Sequence, residues 1–496
     1  MEGCFAPGEK IYMVGIKGTG MTALAELLCH DGARLSGSDV PEVFYTDAIL
    51  RELEIPWHES FDSAHVPPDA GLVIHSAAYD REKNPELAAA LAMGLRVLKY
   101  TDALGAYSEN FDSSGIAGVH GKTTTTALSG VLARAASLPA RVLAGSAVGA
   151  FGGRSTLILG GKYFVAETCE YRKHFLSFRP RRIVLTSVES DHQDFYPNYE
   201  SIRDAFVEYV LLLPSGGKLI YCADDPGAAE TASIALQKRK DLRLVPYGAT
   251  AALGQGCDDF AVQNIETKNE RTVFSLKGFD EPFTLRVPGR HTVLDAAAAL
   301  ALTVSLLETE CAGQRDFTAS LKELLPNLRA ALESFSGSRR RSEIIGEAGG
   351  ILFMDDYGHH PTAVKTTLEG LREFYPRRRI VLSFMSHTYS RTAALLDEFA
   401  ASFDAAGLVV LHKIYASARE QYRGGVSGRT LYEKALERGR KTGRGPEFRY
   451  AEEVLEAVPF LRSTLKEGDL FITMGAGDNW KLGKALYGYF RNGDTE

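Results

Sequence analysis

Gly118-Val119-His120-Gly121-Lys122-Thr123-Thr124-Thr125 is the stretch on which the reading of this chain turns. It lies between a strand-like run and a helical pattern that continues to Ala136. Glycines let backbone N–H groups close around phosphate oxygens, and the start of the following helix adds favourable potential. Lys122 brings positive charge to terminal phosphates, and the Thr123 hydroxyl suits a magnesium ion. The match to the phosphate-loop pattern GxxxxGK[ST] is incomplete: Ile116 stands where the first glycine falls, and Gly115 lies one position early. The retained core is Gly118-x-x-Gly121-Lys122-Thr123, with Val119, His120 and Thr124 in the same cradle. The competing reading is a plain turn whose threonines form a polar helix start.

Outward from that loop, the 496 residues suggest about three domains. Hydrophobic residues at 45% and charged residues at 24% leave material for several cores. A net charge of -7 opposes the basic face that nucleic-acid or anionic-membrane binding needs. Cys4, Cys29, Cys169, Cys222, Cys257 and Cys311 form no CxxC pair, so neither zinc nor a disulfide framework is expected. The opening MEGCFAPGEK lacks a signal pattern, and no apolar run approaches the roughly 20 residues that span a bilayer. A cytoplasmic protein without membrane insertion is the expectation, as a monomer or weak homodimer.

Apolar runs alternate with helical patterns, which predicts parallel sheets with helices on their faces. Three segments are expected: 1–111, 112–333 and 334–496, joined by polar stretches near 111–114 and 334–341. The first holds a strand at 11–14, a glycine turn, a helix over 21–30, and strands ending at Asp39 and near Ala78. The second has strands at 163–166, 183–188 and 218–222, and an Ala-rich helix after His291. The third has strands at 351–354, 380–384, 408–412 and 470–474.

The turn Gly15-Ile16-Lys17-Gly18-Thr19-Gly20 also follows a strand and opens a helix. Its spacing is GxxGxG rather than the dinucleotide pattern GxGxxG, and Lys17 takes the middle glycine's place. Asp39 lies where a ribose-binding acid would fall. A diphosphate of another kind, or no ligand, fits the same turn.

Two nucleotide-type turns on separate α/β segments, with a third segment after them, resemble the Mur ligases. The motifs run along nearly the whole chain. They are Gly15 to Met21 with Gly37-Ser38-Asp39; GVHGKTTT; Glu167 to Tyr171; Ser187 to His192; Gly289-Arg290-His291; Phe335 to Ser338 with Arg340-Arg341; Asp355 to Pro361; Ser386 to Thr392; and Gly475 to Asp478. The resemblance implies a three-domain α/β architecture. A Rossmann-like N-terminal domain holds a UDP-sugar, a central phosphate-loop-type domain holds ATP, and a Rossmann-like C-terminal domain brings an amino acid. It implies ATP and Mg2+ as cofactors, and UDP-N-acetylmuramate and L-alanine as substrates, joined through an acyl phosphate with release of ADP and phosphate.

Residue by residue, the resemblance implies Gly15, Gly18, Thr19, Gly20, Met21, Ser38, Asp39 and Ser76 on the UDP-sugar. It implies Gly118 to Thr124, His291, Asp295, Arg340 and Asp356 on ATP, with Lys122, Glu170 and His192 catalytic. Thr123, Glu170 and His192 would contact the metal, and Tyr357, His359 and Arg391 the amino acid. Arg391 suits a carboxylate because its planar fork matches two oxygens. Thr292, Asp295, Thr388 and Ser386 depart from the family's usual residues, and Cys169, in place of a frequent acid, reads as a small core residue or a non-catalytic one supporting the site from behind. Three alternatives stand beside this reading: a ligase adding a whole tripeptide to the same sugar, an NAD-dependent oxidoreductase, and a non-catalytic nucleotide-binding regulator.

Overall fold

The structure, a computed structural model, describes residues 5–249, 260–312, 316–416, 424–443 and 445–492. Cys4 and Cys257 lie outside the described residues. The chain divides into two compact units. The first spans Met1–Val188, Arg203–Tyr247 and Ala298–Leu328; the second spans Glu189–Ile202, Gly248–Ala297 and Arg329–Glu496.

The first unit contains two parallel sheets. One has strands Lys10–Val14 (β1), Arg34–Ser38 (β2), Trp57–His58 (β3), Leu72–His75 (β4) and Val97–Lys99 (β5), in the order β3-β2-β1-β4-β5. The order reverses at β1, so a crevice opens beyond the ends of β1 and β4, where open α/β sheets bind ligands. The other has strands Asp112–Ala117 (β6), Ala140–Val148 (β7), Arg154–Ile158 (β8), Tyr163–Glu167 (β9), Arg182–Leu185 (β10), Lys218–Cys222 (β11) and Arg243–Tyr247 (β12). Their order is β12-β11-β10-β6-β9-β7-β8, parallel except for the β7–β8 pair. The stretch expected as a polar joint at 111–114 is instead the start of β6. Ser113 and Ser114 are fully buried there, because backbone pairing with β9 and β10 satisfies the strand whatever its side chains.

Two carboxylates, the buried Glu26 and the half-buried Asp31, fasten these sheets together. Glu26, on the helix Thr19–His30, accepts from Arg154 and Thr156 on β8. Asp31 accepts from Arg141 at 2.6 Å and from the Tyr107 hydroxyl at 2.9 Å.

The second unit begins with a small antiparallel sheet, Val262–Thr267 (β13), Thr272–Leu276 (β14) and Phe283–Leu285 (β15). Its larger sheet has strands Glu343–Ala348 (β16), Ile351–Asp356 (β17), Arg379–Met385 (β18), Leu408–Leu411 (β19), Glu447–Tyr450 (β20) and Asp469–Gly475 (β21). The order is β16-β17-β21-β18-β19-β20, parallel except for the edge strand β16. Its central strands are buried on both faces, as a sheet covered by helices requires. The helix Arg290–Cys311 is 22 residues long and apolar enough to cross a bilayer, contrary to the expectation from apolar runs. It lies 83% buried inside the protein, as a core helix. Among the described residues Cys29, Cys169, Cys222 and Cys311 are free thiols.

Replacing Glu26 by alanine leaves Arg154 and Thr156 without their shared acceptor. The expected loss of unfolding free energy is about 1–3 kcal/mol, measured by urea denaturation; a loss under about 0.5 kcal/mol would show that this contact carries no net stability.

Candidate active site

The phosphate-type loop leaves β6 at Gly118, whose φ is 140°, and enters the helix Lys122–Ala135 at Gly121, whose φ is 81°. Both values lie where a side chain is strained, and a Cβ on Gly118 would collide with Thr186 and Ser187. The loop is clamped from the end of β10. Val119 N–H donates to Ser187 O at 3.0 Å, His120 N–H to Ser187 Oγ at 2.8 Å, and Thr186 Oγ1 to His120 O. Lys122 Nζ donates to the loop carbonyls of Gly118 and Val119 and lies 3.0 Å from Glu170 Oε2. Burial works against the charged ammonium, but Glu170, with Cys169 and Glu167, holds it above its ordinary value, so Lys122 stays cationic.

Glu170 is 2% exposed and follows β9; Thr123, next after Lys122 at the helix start, is buried, and Thr124 is half-buried. Lys122 and Glu170 therefore meet at one sheet edge, with Thr123 adjoining Lys122, although they come from two strand ends. Cys169, expected in the core, is exposed, because the chain leaves β9 there and turns the neighbouring Glu170 inward. His192 belongs to the second unit, at φ 53°, with its amide donating to Asp191 Oδ1 at 2.7 Å.

At the first sheet, the glycine turn is closed on β2: Gly15 and Ile16 N–H donate to Ser38 O at 2.8 and 3.1 Å. Gly18 precedes the helix that starts at Thr19 and runs through Gly20 and the buried Met21. Ser76 follows β4, its N–H on Val14 O at 2.9 Å. These residues do gather at the crevice. Lys17 turns away from it. It is 1% exposed, donates to Val40 O and Glu42 O at 2.9 and 3.0 Å, and lies 3.6 Å from Asp47. Asp39 is also buried; it accepts from Lys17 N–H at 2.7 Å, Val40 N–H at 2.8 Å and Tyr79 OH at 3.2 Å. Ser38 Oγ donates to Glu86, a fully buried carboxylate that also accepts from Tyr12 OH at 3.0 Å. The sequence offered no sign of Glu86, which reads as an ordinary first-turn acid after Asn84-Pro85.

In the second unit, His291 stands at the start of its helix with its ring over Gly289, and Asp295 is 5% exposed one turn on. Asp356 ends β17 and organises two loops, accepting from Ser342 N–H at 2.7 Å and Gly358 N–H at 2.6 Å. Arg340 donates to Asp355 Oδ2 at 2.8 Å and Gly475 O at 2.6 Å, with its guanidinium 5.1 Å from the Tyr357 ring centre.

The ends of β17 and β18 bring Tyr357, His359, His387 and Arg391 together. The His359 ring centre lies 5.0 Å from that of Tyr357 and 5.1 Å from that of His387. Arg391 is not an exposed helix-start residue; it is 3% exposed and already holds a carboxylate. Its Nε and Nη2 donate to Asp191 Oδ1 at 2.8 and 2.7 Å, and Nη1 reaches His387 Nδ1 and His387 O at 3.1 and 3.2 Å. Burial raises the Asp191 carboxyl, yet Arg391 together with His192, His360 and His359 more than offsets that and holds it well below the usual carboxylate range. Asp191 and His387 sat inside quoted motifs without a role; nothing local in sequence links Asp191 to an arginine 200 positions away.

Comparison with known proteins gives matches along the chain. Mur ligase family, catalytic domain, matches residues 10–112; Mur ligase middle domain matches 116–303; Mur ligase, glutamate ligase domain, matches 340–477. The UDP-N-acetylmuramate–L-alanine ligase of Treponema pallidum (strain Nichols) is 52% identical over 484 residues, covering 98% of this chain and 97% of that protein. The protein of the same name from Borrelia garinii subsp. bavariensis is 37% identical, covering 96% and 97%. Among solved structures, UDP-N-acetylmuramate-alanine ligase MurC from Thermotoga maritima matches with TM-score 0.71 at 23% identity, covering 96% of this chain and 98% of that one. A murein peptide ligase from Psychrobacter arcticus matches with TM-score 0.63 at 23% identity, covering 97% and 98%.

Breaking a buried ion pair from one side strands a charge. Arg391→Ala and Asp191→Ala are each expected to cost about 3–5 kcal/mol of stability. The double variant should be less destabilised than the sum by more than about 1 kcal/mol in a denaturation cycle; strict additivity would show that the two side chains do not act as a pair.

Proposed function

The chain belongs to the Mur ligase family, and from that premise we propose that it joins L-alanine to the lactyl carboxylate of UDP-N-acetylmuramate with ATP as phosphoryl donor. What carries this reading is similarity along almost the whole chain to ligases of that name, together with a buried cationic lysine where a phosphate loop ends. The domain assignment follows the family: 1–111 for the UDP-sugar, 112–333 for ATP and 334–496 for the amino acid. The free thiols among the described residues fit the cytoplasm, and we keep the expectation of a monomer or weak homodimer.

A carboxylate and a triphosphate repel each other, so phosphoryl transfer between them needs positive charge. Lys122 supplies it. The glycine-backed loop N–H groups and the helix start behind them orient the phosphates. Thr123 and Glu170 offer the hard oxygen donors that magnesium prefers, and a bound ion would add charge against the triphosphate. His192 is assigned to the metal on its sequence motif, as are His291, Asp295, Arg340 and Asp356 to the nucleotide. The γ-phosphoryl group passes to the lactyl carboxylate, the amine of the amino acid attacks the acyl carbon, and phosphate leaves.

The UDP-sugar belongs at the crevice of the first sheet, against the Gly15–Met21 turn and Ser76, with Ser38 and Asp39 shaping that turn from behind. Four of the five Arg391 N–H groups are engaged by Asp191 and His387. The amino acid's carboxylate is therefore expected to exchange with that of Asp191 on the guanidinium, beside Tyr357 and His359. The tripeptide-adding alternative is disfavoured by the short connection between Glu170 and β10, a single 3-10 stretch at Tyr171–Ser177 and a few linking residues.

Phosphate release from ATP should require UDP-N-acetylmuramate and L-alanine together, and Lys122→Ala should abolish it while UDP-N-acetylmuramate still binds in a calorimetric titration. Turnover with the tripeptide but not with L-alanine would overturn the assignment.

A further inference from the structure

An amino acid arrives as an ammonium ion, which has no lone pair, so the amide-forming step needs a group that removes a proton next to the carboxylate anchor. We propose that His359 is that general base, acting through Nε2; the assignment rests on the ligase reading above. His359 Nδ1 lies 2.8 Å from the Tyr357 carbonyl oxygen. A carbonyl only accepts, so Nδ1 carries the hydrogen and the lone pair stands on Nε2. His359 as a whole is only partly buried.

The neighbouring groups are excluded by the same bookkeeping of donors. His387 Nδ1 faces the Arg391 guanidinium at 3.1 Å, and a guanidinium only donates, so the Nδ1 lone pair of His387 is engaged and its Nε2 carries hydrogen. Asp191 is committed to Arg391, whose Nε and Nη2 both donate to its Oδ1. His359 faces Arg391, His387 and Asp191, and its ring touches that of Tyr357. Burial, then the positive charge of Arg391 and the proximity of His387, keep the His359 imidazole neutral well below the ordinary histidine value. Arg391 and His359 flank His387. An α-amino acid whose carboxylate is held at Arg391 has its nitrogen two bonds from the carboxylate carbon, and His359 is the imidazole of this cluster whose Nδ1 is spent on a carbonyl.

In the step, Nε2 of His359 takes one proton from the ammonium group, and the freed lone pair forms the C–N bond at the acyl carbon. The carbon–oxygen bond to the phosphoryl group then breaks, and phosphate departs with that electron pair. The nitrogen loses its second proton to the departing phosphate, and His359 returns its proton to water.

The test compares two amines in wild-type, His359→Gln and His359→Ala enzyme with ATP, magnesium and UDP-N-acetylmuramate. L-alanine needs a base at neutral pH; hydroxylamine is already deprotonated and traps an acyl phosphate as the hydroxamate. In both variants kcat with L-alanine should fall about 100-fold or more, with KM for L-alanine within about 3-fold, while hydroxamate forms at the wild-type rate. Added imidazole should restore part of the L-alanine rate in His359→Ala. Retention of L-alanine turnover within about 3-fold, or parallel loss of both products, overturns the assignment. Wild-type enzyme that yields neither hydroxamate nor amide overturns the ligase reading, and this step with it.

Discussion

A lysine ammonium held 3.0 Å from a buried carboxylate, Lys122 against Glu170, is the contact around which the first unit's chemistry is arranged. A charge in that position is tolerable only because its partner and two loop carbonyls face it. The parallel sheet makes the meeting possible. β6 and β9 are neighbours running the same way, so the residues that follow them emerge at the same edge. Thr186 and Ser187, leaving β10 on the other side of β6, clamp the loop and leave no space for a side chain at Gly118.

The same logic of paired charge runs through the rest of the molecule. Glu26 and Asp31 hold one sheet against the other by meeting arginines rather than by apolar contact alone. Lys17 sits in the middle of a glycine turn, where a phosphate-facing cation would be easy to imagine. It is instead folded into the loop after β2 and neutralised there. With Lys17 folded away and the Gly15, Ile16 and Lys17 N–H groups engaged by Ser38 and Asp39, the start of the helix at Thr19 is the part of the turn whose chemistry suits an anion.

In the second unit, Arg391 shows how a buried cation is held in place. A planar guanidinium that is 3% exposed needs acceptors, and Asp191 with His387 provides them. This keeps the side chain among His387, His359 and Tyr357 at the ends of β17 and β18. Along that edge a carboxylate, a guanidinium and two imidazoles follow one another, Asp191, Arg391, His387 and His359.

The amino-acid sequence by itself determined the α/β class, the main strands, the two glycine turns and the family, because each of these is written in short-range spacing: a strand-length apolar run, a turn residue, a helix start. Tertiary structure alone decided what the charged residues do. Whether Lys17 faces a ligand or the core, and whether Arg391 stands open or holds Asp191 from 200 positions away, depends on which chain segments are packed together. So does the conversion of the polar stretch after Phe111 into the buried strand β6. The physical reason is that backbone conformation answers to neighbouring residues, whereas the cost of burying a charge or a polar strand is settled by partners that only the folded chain brings within reach.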